Sequence, residues 1–227
     1  VPDLPSAVNF ILNDHPRLIS LCAMQGRGIG EGDFVFIGGL SRSGKSNLAT
    51  CLKESLQAQG KGAVVIATDR WLRNEDERIP GVLGRYATDE MRVLLGSLMQ
   101  RTSAVPLELP AYDKMNRQRV PGELVVVGPK EVVIVEGTVA LTLLDGVRGA
   151  VTHSWFVEID EDVRRQRVLN EYRLRGREVR DAEAIYAKRQ QDETPVILAT
   201  AGAATQRFRV ELGASPRQFD PSQESSA

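Results

Sequence analysis

FVFIGGLSRSGKSNLATCLKESLQAQG, residues 34–60, changes character twice within one short stretch. Residues 34–40 form a continuous apolar run, the pattern of a strand buried on both faces. Residues 45–58 read as a helix, and between the two lies a Gly- and Ser-rich segment carrying one Arg and one Lys. From Gly39 to Ser46 the order is Gly, four residues, Gly-Lys-Ser, the pattern of a phosphate-binding loop between a strand and a helix. Glycines there let backbone N–H groups converge on phosphate oxygens, and the following helix presents its positive end. Gly39, Ser41, Arg42, Ser43, Gly44, Lys45, Ser46 and Asn47 are therefore the candidate nucleotide-binding residues. Lys45 is expected to bridge the β- and γ-phosphates, and the Ser46 hydroxyl to ligate Mg²⁺. A second glycine cluster, Gly26, Gly28, Gly30 and Gly32, precedes the strand and lacks dinucleotide spacing, so it reads as a turn.

The rest of the chain sets the frame. Its 227 residues suit a single domain spanning 1–227, with an extension over 1–31 and a polar tail over 213–227 expected to fray. A net charge of −1 argues against a nucleic-acid coat or a binder of anionic membranes. Cys22 and Cys51 lie in apolar, helix-like contexts and read as core thiols, which points to a reducing cytoplasm. No apolar run approaches the length of a membrane span, and a signal peptide's layout is missing from the N-terminus. His15 and His153 are too few for a histidine metal site.

Strands and helices alternate. Further buried-strand runs occur at 62–69, 131–137 and 154–160, with 207–212 a candidate fifth strand and helices expected at 88–101, 161–175 and 181–199. That alternation calls for right-handed crossovers and an α/β fold, a parallel sheet flanked by helices. Residues 106–129 break the rhythm as an antiparallel hairpin, Pro110 and Pro121 bracketing a polar turn. A helix is expected from Ala7 to Asn13, packed on the sheet.

In an open parallel sheet ligands gather at the carboxyl ends of the strands. Three carboxylates end strands there: Asp69, Glu136 and Asp160. Asp69 and Glu136 would face the mouth of the phosphate loop, where Mg²⁺ and a nucleophilic hydroxyl must be handled together; Asp160 reads as a turn former. Arg164, Arg165, Arg167, Arg173, Arg175, Arg177 and Arg180 crowd residues 164–180, with Gly176 as a hinge or helix stop. Guanidinium forks suit the negative charge spread over a transferring phosphoryl group. Glu161, Asp162, Glu171 and Glu178 would balance several of them on a solvated face. Arg167, Arg173 and Arg177 are the ones assigned to phosphate.

Five pieces, GGLSRSGKS, ATDRWLR, LPAYDKMNRQR, VVIVEGTVAL and FVEIDEDVRRQRVLNEYRLRGR, together resemble the uridine kinase / phosphoribulokinase family over roughly residues 34–195. The resemblance implies a nucleoside-kinase-like P-loop NTPase fold with an acceptor-side hairpin and an Arg-rich lid. It implies an ATP- and Mg²⁺-dependent transfer to the hydroxyl of a small molecule: a sugar, sugar phosphate, nucleoside or hydroxy acid. By resemblance Asp69 is the base, Ser46, Asp69 and Glu136 surround Mg²⁺, Tyr112 and Asp113 lie on the acceptor hairpin, and Lys45 and Arg173 act on the transferred group. Two departures stand out. VLGRYATDEM (82–91) replaces the family's ribose-holding segment and brings Arg85, while Arg117 takes the place of a base-reading His and Arg119 keeps the motif's closing Arg. Together with Lys114 these cations suggest an anionic acceptor. A homo-oligomer stays open. A GTP switch would need an Asn-Lys-x-Asp motif, which is missing from the sequence. The other alternative, a silent nucleotide-binding regulatory module, is disfavoured by retention of Asp69 and Glu136.

Overall fold

The computed structural model describes residues 8–11, 15–147 and 151–211. In chain order the elements are β1 (Val8–Ile11), α1 (His15–Arg27), β2 (Phe34–Gly38), α2 (Lys45–Ala58), β3 (Ala63–Ala67), α3 (Thr88–Met99), β4 (Val105–Asp113) and β5 (Gln118–Val127). Then follow β6 (Val132–Glu136), β7 (Val151–Ile159), α4 (Glu161–Leu174), α5 (Val179–Asp192), α6 (Thr194–Ala199) and β8 (Gln206–Glu211). Six strands form one sheet in the order β1-β8-β7-β2-β6-β3, every pair parallel. β4 and β5 pair antiparallel in a sheet of their own.

The apolar runs are explained by two-sided burial. Along β2, Phe34 and Phe36 enter one core with Val133, Val135, Phe156, Leu95 and Ile197. Val35 and Ile37 point the other way, into a core with Ile134, Trp155 and the α1 and α2 residues Leu21, Cys22, Leu48, Leu52 and Leu56. Alternate side chains of a strand face opposite sides, so a strand between two helical layers must be apolar throughout. Cys22 and Cys51 are buried free thiols in the second core, and burial pushes both up from the ordinary thiol range.

Three expectations need correction or lie outside the described residues. The helix expected over Ala7–Asn13 is instead a strand at Val8–Ile11, hydrogen-bonded to the β8 edge, with the helix of this region at His15–Arg27. Four residues are too short to reveal helical periodicity, and only the β8 edge selects the extended form. The single helix expected over 181–199 is two, broken at Glu193, with Pro195 in the first turn of α6. The fraying expected for 213–227 falls outside the described residues. No described helix is long and apolar enough to cross a membrane.

Candidate active site

Strand register assembles the site. Glu136, last residue of β6, lies opposite Ile37 of β2 on one side and Ala67 of β3 on the other. The chain after Ile37 becomes the phosphate-type loop, and the chain after Ala67 turns through Thr68–Trp71, carrying Asp69. Two glycines permit this closeness. Gly39 has φ +140, and a Cβ there would stand 2.4 Å from the Val157 carbonyl oxygen. Gly137 has φ +146, and a Cβ there would meet Thr68 Oγ1 at 1.8 Å. Both positions exclude L side chains on conformation and on space.

Lys45 starts α2 and folds back over the loop, its Nζ donating to the Leu40 carbonyl at 2.7 Å. Ser46 Oγ donates to Glu136 Oε1 at 3.1 Å. Burial pushes the Lys45 ammonium below its ordinary value, against the pull of Glu136, Glu193 and Asp69. Burial likewise pushes Glu136 up, partly offset by Lys45. Asp69 behaves differently: burial opposes its charge, but Lys114, with Nζ 3.1 Å from Oδ2, leads the cations that hold it below the usual carboxylate range. The Tyr86 hydroxyl approaches the other oxygen at 3.4 Å.

These groups share one cleft of about 1670 Å³, bounded by the loop, the 69–86 segment, the β4–β5 turn and the α4–α5 pair. Arg117, in the β4–β5 turn, has φ 56, a left-handed conformation made tolerable by Asp113, whose Oδ1 accepts from the Met115 and Asn116 N–H groups. Arg117 pairs with Glu75, and Arg85 with Asp192. Arg119 lies outside the cleft lining, held by both oxygens of Glu90 at 3.0 and 2.6 Å. Tyr112 lines the cleft and accepts from Arg78.

On the α4–α5 side, Arg167 and Arg177 line the cleft; Arg173 does not. Arg167 Nη1 donates to the Arg42 carbonyl at 3.2 Å, and Arg42 pairs with Glu171. Arg164, fully buried, is a structural tie: it donates to the Ser41 carbonyl at 3.3 Å and pairs with Glu161 and Glu193. Glu193 in turn accepts the Ser41 N–H at 2.8 Å. Asp160 caps α4, accepting from the N–H groups of Asp162 and Val163.

Sequence reasoning did not single out Arg78, Tyr86, Tyr172, Arg189 or Glu193, all of which line the cleft. Arg189 Nη2 donates to the Tyr172 hydroxyl at 2.9 Å, and the guanidinia of Arg175 and Arg189 each lie 5.5 Å from that ring's centre. For Glu193 a signal existed: Pro195 two residues later marks a helix restart, which turns the preceding side chains out of the helical face.

The fit of a metal–nucleotide pair can be judged on these contacts. The Ser41 hydroxyl oxygen, in the loop, is buried without a hydrogen-bond partner. Among the described residues no group of three His, Cys, Asp or Glu side chains could hold a metal alone. The Ser46–Glu136 pair supplies two oxygens, which suits Mg²⁺ taking its other ligands from phosphate and water.

No family model matches the chain. A uridine kinase of Klebsiella pneumoniae subsp. pneumoniae is 30% identical over 162 residues, 68% of this chain and 75% of that protein. The chain belongs to the uridine kinase family. A uridine kinase of Staphylococcus carnosus is 29% identical over 147 residues, 62% of this chain and 69% of its own. Two solved structures share the fold. One is a Silicibacter sp. TM1040 kinase ascribed to a fructose transport system, with TM-score 0.64 and 22% identity, covering 86% of this chain and 98% of that one. The other is D-glycerate 3-kinase from Cryptococcus neoformans var. grubii, with TM-score 0.60 and 12% identity, covering 89% and 97%. This uridine kinase family member is a small-molecule kinase with a mixed α/β fold and a separate antiparallel hairpin.

Proposed function

We propose that the cleft transfers the γ-phosphoryl group of ATP to a hydroxyl of a small acceptor, with Mg²⁺. The observation that carries this reading is the meeting of Lys45, the Ser46–Glu136 pair and Asp69 in one cleft, at the adjoining ends of β2, β6 and β3. Mg²⁺ held near Ser46 and Glu136 would neutralise phosphate charge. Lys45, already desolvated, exchanges a backbone carbonyl for a phosphate oxygen and regains the charge stabilisation that burial removes. Arg167 and Arg177 line the cleft from α4 and the turn after it, which supports a part for them in meeting phosphate, whereas Arg173 lies outside the lining.

The acceptor oxygen attacks the γ-phosphorus, the bond to the bridging β–γ oxygen breaks, and the acceptor proton passes to Asp69. A carboxylate held below the usual range is a weak base, but a loose phosphoryl-transfer transition state needs little proton abstraction before it forms. Lys114 keeps Asp69 ionised and must yield one oxygen to the acceptor hydroxyl.

Asp69→Asn should lower kcat roughly 10²–10⁴-fold while ATP affinity changes far less. Lys45→Ala should nearly abolish ADP formation with a melting temperature close to that of the unaltered protein. Normal turnover by both variants would defeat this reading.

A further inference from the structure

Four cations of the 69–86 segment and the β4–β5 turn line the cleft, and three are neutralised where they stand. Arg117 pairs with Glu75, Arg85 with Asp192, and Lys114 with Asp69. Arg78 differs. Its Nε donates to the Arg73 carbonyl at 3.1 Å and its Nη2 to the Tyr112 hydroxyl, and its guanidinium lies 5.7 Å from the centre of that ring. No carboxylate of the described residues pairs with it. Tyr112 is no substitute for one: burial raises its phenol further than Arg78 lowers it, so the ring stays neutral. A half-buried guanidinium facing a neutral phenol is an incomplete ion pair.

The geometry around it is fixed in advance. The Arg73 N–H donates to the Arg85 carbonyl at 2.8 Å and the Ile79 N–H to the Gly84 carbonyl at 3.1 Å, closing the loop that carries Arg78. Accepting from Arg78 leaves the Tyr112 hydroxyl its own proton, which is paired with no acceptor among the described residues. Two donors, one of them charged, therefore meet in the cleft lining beside Leu72, Ile79 and Met115. A guanidinium fork and an adjoining O–H suit the oxygens of a carboxylate or phosphate.

We infer that the acceptor carries an oxyanion, a carboxylate or a phosphate, besides the hydroxyl it offers Asp69, and that Arg78 with Tyr112 reads that group. The inference rests on the kinase reading above. It also moves anion recognition away from Arg85, Arg117 and Arg119, whose charges are committed to protein carboxylates.

The test is calorimetric titration of D-glycerate, ribose 5-phosphate and uridine into protein saturated with Mg²⁺ and ADP, so that anions do not report the nucleotide end. At least one anion should bind tenfold or more tightly than uridine, and which one identifies the oxyanion. Arg78→Gln should weaken that ligand roughly ten- to a hundredfold, Arg78→Lys less, and Tyr112→Phe by several-fold, with uridine unaffected. Arg117→Gln should change little. Melting of each variant separates lost binding from lost folding. Absence of measurable binding by both anions, equal binding of uridine, or indifference to Arg78→Gln overturns the inference. ADP release with the same three compounds and with fructose then separates the two readings. Anion binding that depends on Arg78, without turnover of any compound, would fail the kinase reading alone. Turnover of uridine or fructose untouched by Arg78→Gln would fail the oxyanion reading alone.

Discussion

Replacing Gly39 by Ala adds one methyl group where the phosphate-type loop leaves β2. The new Cβ would lie 2.4 Å from the carbonyl oxygen of Val157 and 3.1 Å from Ser43 Oγ. Val157 is in β7, hydrogen-bonded between β2 and β8, so the strand cannot retreat. The loop must, by roughly 1 Å or more before the contact becomes an ordinary one. Backbone strain comes on top, since φ +140 is glycine territory and holding another residue there costs about 1–3 kcal/mol. At roughly 2–4 °C per kcal/mol for a chain of this size, melting should fall by about 2–12 °C. A displacement near 1 Å in a group that positions phosphate should lower kcat on the order of 10²-fold. Gly60→Ala is the control: φ is +77, but a Cβ would meet nothing within 4 Å. It should lose about 1–2 kcal/mol of stability and keep its turnover. Differential scanning fluorimetry and coupled ADP release on both variants decide the matter. Normal turnover by Gly39→Ala, or equal kinetic loss in both variants, would refute the argument that this close approach sets the loop's position.

Lys114→Met removes the leading cation that holds Asp69 below the usual carboxylate range, so Asp69 should titrate higher. In the proposed mechanism the reaction needs ionised Asp69, so the acid limb of kcat/KM against pH should move to higher pH, and an unmoved limb would show that another group titrates there. Arg164→Met leaves Glu193 buried without one of its cations, a loss of about 3–5 kcal/mol by analogy with other broken buried pairs. Arg164→Met with Glu193→Leu should recover part of that melting loss, and strict additivity would show the two do not act together. Glu193 is buried, which favours its neutral form, yet Arg189 and the Ser41 N–H hold it below its ordinary value. Its stabilisation is therefore present above the ordinary carboxylate pKa and fades as pH falls through the lowered one; Glu193→Gln should flatten the acid side of a melting-temperature profile.

The central strands β2 and β6 were legible because both are buried on both faces, which makes local composition sufficient; β3 and β8 are only partly buried and show the same signal more weakly. The runs at 34–40, 62–69, 131–137, 154–160 and 207–212 correspond to β2, β3, β6, β7 and β8. β1 was not legible, since Val8–Ile11 is extended only because β8 offers an edge some two hundred residues away. The phosphate-type loop was legible from eight consecutive residues. Charge partners were not: Arg117 with Glu75, Arg119 with Glu90 and Arg85 with Asp192 are joined by the way segments fold against each other. Arg78 and Arg189 were overlooked for the same reason, as a lone Arg in a charged segment carries no local mark of which groups the fold will set beside it.

The separation of β4 and β5 from the six-stranded sheet bears on how this chain can diverge. Tyr112, Lys114 and Arg117 lie on a ribbon that shares no strand pairing with the core, while Lys45, Glu136 and Asp69 follow from the register of β2, β6 and β3. Substitutions in the ribbon can therefore accumulate without disturbing the sheet hydrogen bonds that align the phosphate-handling end. One tie remains, the ion pair between Lys114 and Asp69, so the ribbon positions that can vary most freely are those that leave this pair in place.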